Sequence, residues 1–370
     1  MNTPTFDLPS RSVAVVLGTR PEIIKLGHVI GLLGSAVNVI HTGQHYDSGL
    51  SDSFLETFRV AEPTVYLGVG GKTRGDQIGT VVSALDSYLG ETRPEVVVVQ
   101  GDTNASLGGA IAANAREIPL VHVEAGLRSW DRRMPEEHNR VLTDHLADLL
   151  CAPTSVSEKN LLEEGISRDR IVVTGNTVVE AVLKLMPSAE SRQSILSDYG
   201  LEPGRFVLST FHRPENVDDP ARFASIAEEL AALPFPVVLP LHPRSRERAL
   251  EFGMADKLKA LTVVDPIGYQ EFLGLGAESA FLVSDSGGVQ EEVSVYKKPV
   301  VVVRRSTERP EVLGTFAELV EPGGIVDVVK RWLSDLDSLQ QTLDTLASPY
   351  GDGSASTRIV KKIQEMLSRG

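Results

Sequence analysis

The sequence predicts an α/β protein of two Rossmann-like domains facing each other across a central cleft. Three observations carry this reading. Short apolar runs alternate along most of the chain with segments of amphipathic helical pattern, the signature of βαβ units and parallel sheets. At 370 residues the chain is too long for one core of ordinary size. The alternation also breaks once, over Leu183–Arg205, where prolines, glycines and polar residues collect around a short helix, and then resumes.

Taken in order, Val13–Leu17, Val37–His41, Val96–Val99, Pro119–Val123, Leu149–Ala152 and Ile171–Thr174 read as strands of the first domain. They are nearly continuous in apolar residues, as strands buried on both faces of a parallel sheet are. Phe206–Ser209, Pro236–Leu239, Leu261–Val264, Phe281–Ser284 and Val300–Val303 repeat the pattern in the second. A turn-rich stretch, Pro349–Gly353, precedes a last amphipathic helix over Ser356–Leu367. The boundaries are residues 1–180 for the first domain and 181–353 for the second, with the helical segment 354–370 after them.

A charged fraction of 23% and a hydrophobic fraction of 42% are those of a globular protein. The net charge of −14 speaks against nucleic acid or an anionic membrane surface as the main partner. An anionic ligand would therefore need a local pocket of Arg and Lys. The single cysteine, Cys151, excludes an intramolecular disulfide and fits a reducing compartment. No apolar stretch approaches a membrane span, and Met1–Ser10 lacks the hydrophobic region of a signal peptide, so a cytoplasmic protein is expected.

The chemistry concentrates in Val96–Arg140. Two of its apolar runs end abruptly in a carboxylate beside a small residue, as Gly101-Asp102 and Glu124-Ala125-Gly126. Ligands of open α/β sheets bind beyond the carboxyl ends of the strands, so Asp102 and Glu124 point to one crevice and to acid/base work. Glu136 and Glu137 follow Pro135 and equally suit the first turn of a helix, where acidic residues meet the dipole favourably.

Other motifs also sit at strand ends. Gly18-Thr19-Arg20-Pro21-Glu22-Ile23-Ile24-Lys25 lacks a GxGxxG pattern, which counts against NAD or FAD. Its Arg20 and Lys25 either clamp a phosphate or are solvated surface cations. Ser286-Gly287-Gly288 opens a predicted helix, where free backbone N–H groups and the dipole favour an anion. Glu292, one turn further, can accept the hydroxyls of a ribose, and the pair suggests a nucleoside diphosphate. An ordinary capped helix is the plainer account. His212-Arg213 follows another strand and suits phosphate contact or proton donation, or a structural role. Arg304–Glu311 is a further cationic loop.

In order, GTRPEIIK, QGDTNASL, HVEAGLRS, MPEEHNR, VTGNTVVEAV, HRPEN, SDSGGVQEE and STERPE resemble the non-hydrolysing UDP-N-acetylglucosamine 2-epimerases over about residues 13–325. The resemblance implies the GT-B architecture, a C-terminal helix returning to the first domain, and a homodimer. It implies reversible conversion of UDP-N-acetylglucosamine to UDP-N-acetylmannosamine by elimination and re-addition of UDP through 2-acetamidoglucal. Asp102, Glu124 and Glu136 match the family's acid/base carboxylates and His212 its catalytic histidine. Arg20 and Lys25 match residues near the diphosphate, Ser286, Gly287 and Gly288 the phosphate turn, and Glu292 the ribose carboxylate. Phe272 falls near the uracil, Arg140 lies on a matching motif, and Arg213 can stabilise the departing diphosphate alongside His212. No redox step is implied, so no cofactor and no metal are expected.

The chain departs from the bacterial pattern after Gln44, where His45-Tyr46-Asp47 follow; many bacterial members bind a second UDP-N-acetylglucosamine there as an activator. A shorter Ser129–Met134 loop and Pro214 after Arg213 look more like an archaeal-type branch. A hydrolysing 2-epimerase and a GT-B glycosyltransferase are the alternatives, since fold does not fix function.

Overall fold

The computed structural model describes residues 6–44 and 63–368, so the departure at His45–Asp47 lies outside the described residues. By contacts the chain divides into two compact units. Unit 1 is Met1–Ala181 with Tyr350–Gly370, and unit 2 is Val182–Pro349.

Unit 1 is built on a seven-stranded sheet of order β3-β2-β1-β4-β5-β6-β7. Its strands are β1 Val13–Leu17, β2 Val37–His41, β3 Val65–Tyr66, β4 Val96–Gln100, β5 Leu120–Val123, β6 Leu149–Ala152 and β7 Ile171–Val173. Every pairing is parallel, with Val13 opposite Val37 on one side and Val96 on the other. β1 and β4 are buried throughout, which is why their sequences carry no polar alternation. Helix α1, Arg20–Leu33, starts directly after β1 with Pro21 supplying a preset helical φ. Helix α2, Arg74–Thr92, packs on α3, Asn104–Ala115, whose first turn is capped by the Thr103 hydroxyl accepting from Ser106 N at 3.0 Å. Helix α4, Pro135–Leu146, follows the loop after β5.

Unit 2 carries a six-stranded sheet of order β10-β9-β8-β11-β12-β13. The strands are β8 Val207–Thr210, β9 Val237–Pro240, β10 Thr262–Val264, β11 Phe281–Ser284, β12 Val300–Val303 and β13 Ala317–Val320, again all parallel. Its core includes Val207, Phe223, Phe281, Val301 and Trp332. Helix α5, Gly287–Tyr296, follows β11.

The edge strands β3 and β13 are additions to the sequence expectation. β3 has only two residues, and β13, Ala-Glu-Leu-Val, is half-buried and mixes a carboxylate into its run. The last helix, α6, Ala355–Leu367, belongs to unit 1. It packs on α1, burying Ile359, Val360 and Ile363, while Ser356 donates through its N–H at 2.8 Å and through its hydroxyl to the Glu180 carboxylate. Among the described residues no helix is long and apolar enough to cross a membrane.

Both sheets are doubly wound. The strand order reverses between β1 and β4 in unit 1 and between β8 and β11 in unit 2, and such switch points are where open α/β sheets bind ligands.

Candidate active-site groups of the two units

In unit 1 the predicted carboxylates emerge from the ends of adjacent strands and are held differently. Glu124, directly after β5, has φ +68°, the left-handed region that a residue with a Cβ enters at a cost of about 1–3 kcal/mol. Its carboxylate is buried, forms an ion pair with Lys25 of α1, and accepts from Asn176 Nδ2 at 3.3 Å. The strain is held by surroundings that fix both the backbone and the side chain. Asp102, after Gly101 at the end of β4, pairs with Arg140 of α4, whose guanidinium also bridges to Glu137.

Glu136 and Glu137 separate in role. Glu137 is buried and accepts from Ser129 N at 3.0 Å, Ser129 Oγ at 2.8 Å and Trp130 N at 2.9 Å, which fastens the loop ahead of α4. Glu136 is exposed and makes no side-chain hydrogen bond or ion pair among the described residues. Arg20 is half-buried at the start of α1, and Lys25 is buried one turn further. The β1–α1 turn tolerates only glycine at residue 18, because a Cβ there would lie 2.1 Å from Thr42 Oγ1 and 2.9 Å from the Ala105 Cβ.

In unit 2, His212 follows β8 and is exposed, with Nδ1 3.1 Å from the buried Asp285 carboxylate beyond β11. Asp285 also accepts from the backbone N–H of His212 at 3.2 Å and of Arg213 at 3.0 Å, and from Asn216 Nδ2 at 3.1 Å. Burial alone would raise its carboxyl, but His212 together with the hydrogen bonds from Arg213 N and Asn216 outweighs that and holds it below the usual range. With Nδ1 turned to Asp285, Nε2 is the ring nitrogen of His212 that faces away from this carboxylate. Arg213 Nε donates to the Asp285 carbonyl at 2.9 Å.

Ser286 precedes α5 without spending its side chain on a cap. A Cβ at Gly287 would lie 2.7 Å from Arg309 Nη1 and 3.0 Å from Glu308 Oε1, so glycine here lets the Arg309 guanidinium approach the helix N-terminus. Arg309 is in turn held by Glu291 at 2.8 Å and by Glu308. Glu292, buried one turn into α5, accepts from Tyr269 Oη at 2.7 Å. Phe272 is half-buried one turn along from Tyr269 on the helix Tyr269–Glu278, on the same face as helical spacing requires.

The sequence matches the profile of the UDP-N-acetylglucosamine 2-epimerase family over residues 34–364. It is 38% identical over 362 residues to the UDP-N-acetylglucosamine 2-epimerase of Methanocaldococcus jannaschii, covering 94% of this chain and 98% of that protein. The chain belongs to the UDP-N-acetylglucosamine 2-epimerase family. The crystal structure of the Methanocaldococcus jannaschii enzyme in complex with UDP-GlcNAc and UDP is similar in fold, with a TM-score of 0.84 at 37% identity, covering 97% of this chain and 99% of that one. A further relative, UDP-2,3-diacetamido-2,3-dideoxy-D-glucuronate 2-epimerase of Pseudomonas aeruginosa, is 37% identical over 363 residues, covering 96% of this chain and 99% of that protein. The two-unit, GT-B-like α/β architecture of the UDP-N-acetylglucosamine 2-epimerases is thus also the architecture of this chain.

Several residues of this epimerase-family chain escaped sequence reasoning. His122 lies within β5 and is fully buried, with Nδ1 2.6 Å from Asp144 and Nε2 2.8 Å from the carbonyl of Gly101, the residue before Asp102. A carbonyl only accepts, so Nε2 is the donor to Gly101, and Nδ1 faces the Asp144 carboxylate. Asp144 also pairs with Arg128 at 2.8 Å and accepts from Gly126 N at 3.1 Å. Asp285, Tyr269 and Glu22 were missed for the same reason. A buried polar residue within or beside a helix or strand reads locally as a cap or a surface position, and its partners come from elsewhere in the chain.

Proposed function

We propose that this chain reversibly converts UDP-N-acetylglucosamine into UDP-N-acetylmannosamine without net hydrolysis, as a cytoplasmic homodimer. The carbon-2 proton is poorly acidic, so its removal is coupled to departure of UDP. A carboxylate takes the proton, the C1–O bond breaks with its electron pair passing to the diphosphate, and a C1–C2 double bond forms. Return of a proton to the opposite face of carbon 2, with re-attack of the diphosphate oxygen on carbon 1, gives the epimer. One carboxyl group must start ionised and another protonated, and each must be held in place.

The observation that carries the reading is the pair Asp102 and Glu124. They end neighbouring strands of one sheet and are each tied to a buried cation, Arg140 and Lys25. Glu136 joins them as an exposed carboxylate on the same segment, unbonded among the described residues. Unit 2 supplies the nucleotide-binding groups: Ser286, Gly287 and Gly288 with the N-terminus of α5 for phosphate, Glu292 for ribose and Phe272 beside the base. His212 and Arg213 act on the departing diphosphate, as do Arg20 and Lys25 of unit 1.

A proton NMR time course with UDP-N-acetylglucosamine in D2O tests this. Growth of UDP-N-acetylmannosamine with deuterium at carbon 2 is expected. Free N-acetylmannosamine with UDP would indicate a hydrolysing enzyme, and an undisturbed carbon 2 in the presence of an acceptor would indicate a glycosyltransferase. Light scattering at twice the chain mass is expected for the homodimer. Replacing Glu292 with Ala removes the carboxylate that Tyr269 orients, so the Kd for UDP should rise by about 10- to 100-fold, the range of a lost charged hydrogen bond. An unchanged Kd in isothermal titration would remove Glu292 from the ribose.

A further inference from the structure

Glu22 is a fully buried carboxyl group that the mechanism above does not use, and it stands at the switch point of unit 1. Its Oε2 accepts from Gly18 N at 3.0 Å and Thr19 Oγ1 at 2.8 Å, both in the β1–α1 turn. Its Oε1 lies 2.9 Å from Thr103 Oγ1, in the β4–α3 turn that carries Asp102, and 3.2 Å from Ser106 Oγ, in the first turn of α3. One carboxyl group thus joins the two turns that flank the reversal of strand order.

The protons around Oε1 can be placed one by one. Ser106 Oγ is 2.5 Å from the carbonyl of Gln100, the last residue of β4, and a carbonyl accepts, so the serine proton is used there. Thr103 Oγ1 accepts from Ser106 N at 3.0 Å and lies 2.9 Å from Ser106 Oγ. If Glu22 is a neutral acid, every group is satisfied in one direction: Glu22 donates to Thr103, Thr103 to Ser106, and Ser106 to the Gln100 carbonyl. If Glu22 is ionised, Thr103 must turn its proton to Oε1, and Ser106 Oγ is left facing the carboxylate without a proton between them. No cation pairs with Glu22 among the described residues.

We propose that Glu22 is a positioning residue for the reaction: as a neutral acid it heads a hydrogen-bond chain through Thr103 and Ser106 to the Gln100 carbonyl, fixing the end of β4 that presents Asp102. This rests on the assignment of Asp102 to proton transfer. Burial supports it from a second side, pushing the Glu22 carboxyl up to about 7, against which the four hydrogen bonds act only in part. The charged and titratable groups on the elements around it include Arg20, Lys25 and His28 on its own helix, Asp102 after β4, Glu124 after β5 and, at the end of β2, His41. None hydrogen-bonds to Glu22; Lys25 is paired with Glu124 and Asp102 with Arg140. Burial pushes His41 down, away from the charged form near neutrality.

The test compares wild type, Glu22→Gln and Ser106→Ala across pH. Gln reproduces the neutral acid: its oxygen accepts from Gly18 and Thr19, and its amide donates to Thr103. Glu22→Gln should keep kcat within about twofold at pH 6, and its kcat relative to wild type should rise about tenfold by pH 8, one unit above the Glu22 value, where about nine-tenths of the wild-type carboxyl is ionised. The ratio cancels every titration that the two proteins share. Ser106→Ala breaks the chain at every pH and should lower kcat about tenfold or more with KM within twofold, in line with the sensitivity of turnover to small misplacements. Parallel pH profiles for wild type and Glu22→Gln, or wild-type kcat in Ser106→Ala, overturn the proposal.

Urea unfolding gives a readout independent of turnover. A buried acid with a raised value stabilises the fold fully below about 4.5, its ordinary value, and loses that contribution as pH rises through about 7. Wild type should therefore lose stability relative to Glu22→Gln over this window; an unchanged difference counts against the neutral acid. If the wild type incorporates no deuterium at carbon 2 at any pH, the epimerase reading fails, and the unfolding comparison still decides the state of Glu22.

Discussion

Replacing Asp102 with Asn or Glu124 with Gln should lower the rate of carbon-2 deuterium exchange by about 10²- to 10⁴-fold, the usual contribution of a positioned acid or base. Both substitutions keep shape and remove a proton-transfer group. Each also leaves a buried cation, Arg140 or Lys25, without its carboxylate, although Arg140 keeps Glu137 and is the better compensated of the two. Glu124→Gln should therefore lose some stability as well, and turnover must be compared at a temperature where both variants are folded. UDP-N-acetylglucosamine should still bind if, as proposed, most of the nucleotide-binding groups are on unit 2. Glu136→Gln completes the series and is the cleanest member. The side chain is exposed and bonds to nothing among the described residues, so any loss of rate it causes is chemical. Near-wild-type exchange in all three variants would sink the assignment of the proton-handling side.

Removing Asp144 should have the largest effect on stability. The side chain is fully buried and receives His122, Arg128 and the Gly126 N–H, so Asp144→Ala leaves the buried His122 Nδ1 and the Gly126 N–H without their acceptor, while Arg128 keeps only Glu164 as a carboxylate partner. Breaking such a group from one side typically costs about 3–5 kcal/mol. Urea unfolding at pH 7 should show a loss of this order, and a change under about 1 kcal/mol would mean that the cluster relaxes or hydrates. The pH dependence has a definite sign. Burial by itself would raise the Asp144 carboxyl, but His122 and Arg128 prevail and hold it below its ordinary 3.8. Its contribution is therefore present above about 3.8 and disappears as pH falls through the lower folded-state value, so the gap between wild type and variant should close in acid.

These cases show which parts of the molecule were legible in the sequence. Buried parallel strands announce themselves because burial on both faces removes polar residues, so β1, β4, β5, β11 and β12 could be read directly. The abrupt carboxylates after β4 and β5 could be read for the same reason: a charge at the end of an apolar run marks where the strand leaves the core. The partners of those carboxylates could not. Lys25 meets Glu124 only because β1, β4 and β5 lie in that order, and nothing local to GTRPEIIK encodes a strand order. The glutamate pair after Pro135 shows the limit most plainly. Local chemistry gives Glu136 and Glu137 one description, yet the helix turns one into the loop and the other toward solvent. Asp285 and Glu22 are the same lesson in the two units, each lacing a pair of turns whose adjacency is a property of topology.

The place of the last helix bears on how the chain is made. Unit 1 begins with β1 and is completed by α6, whose Ile359, Val360 and Ile363 cover α1, while all of unit 2 is encoded between them. During synthesis unit 2 is therefore made before unit 1 can be completed, and the α1 surface that α6 covers waits until α6 has been made. Loss of α6 would therefore fall on the unit whose strands are made first, removing the cover of Ile359, Val360 and Ile363 from α1.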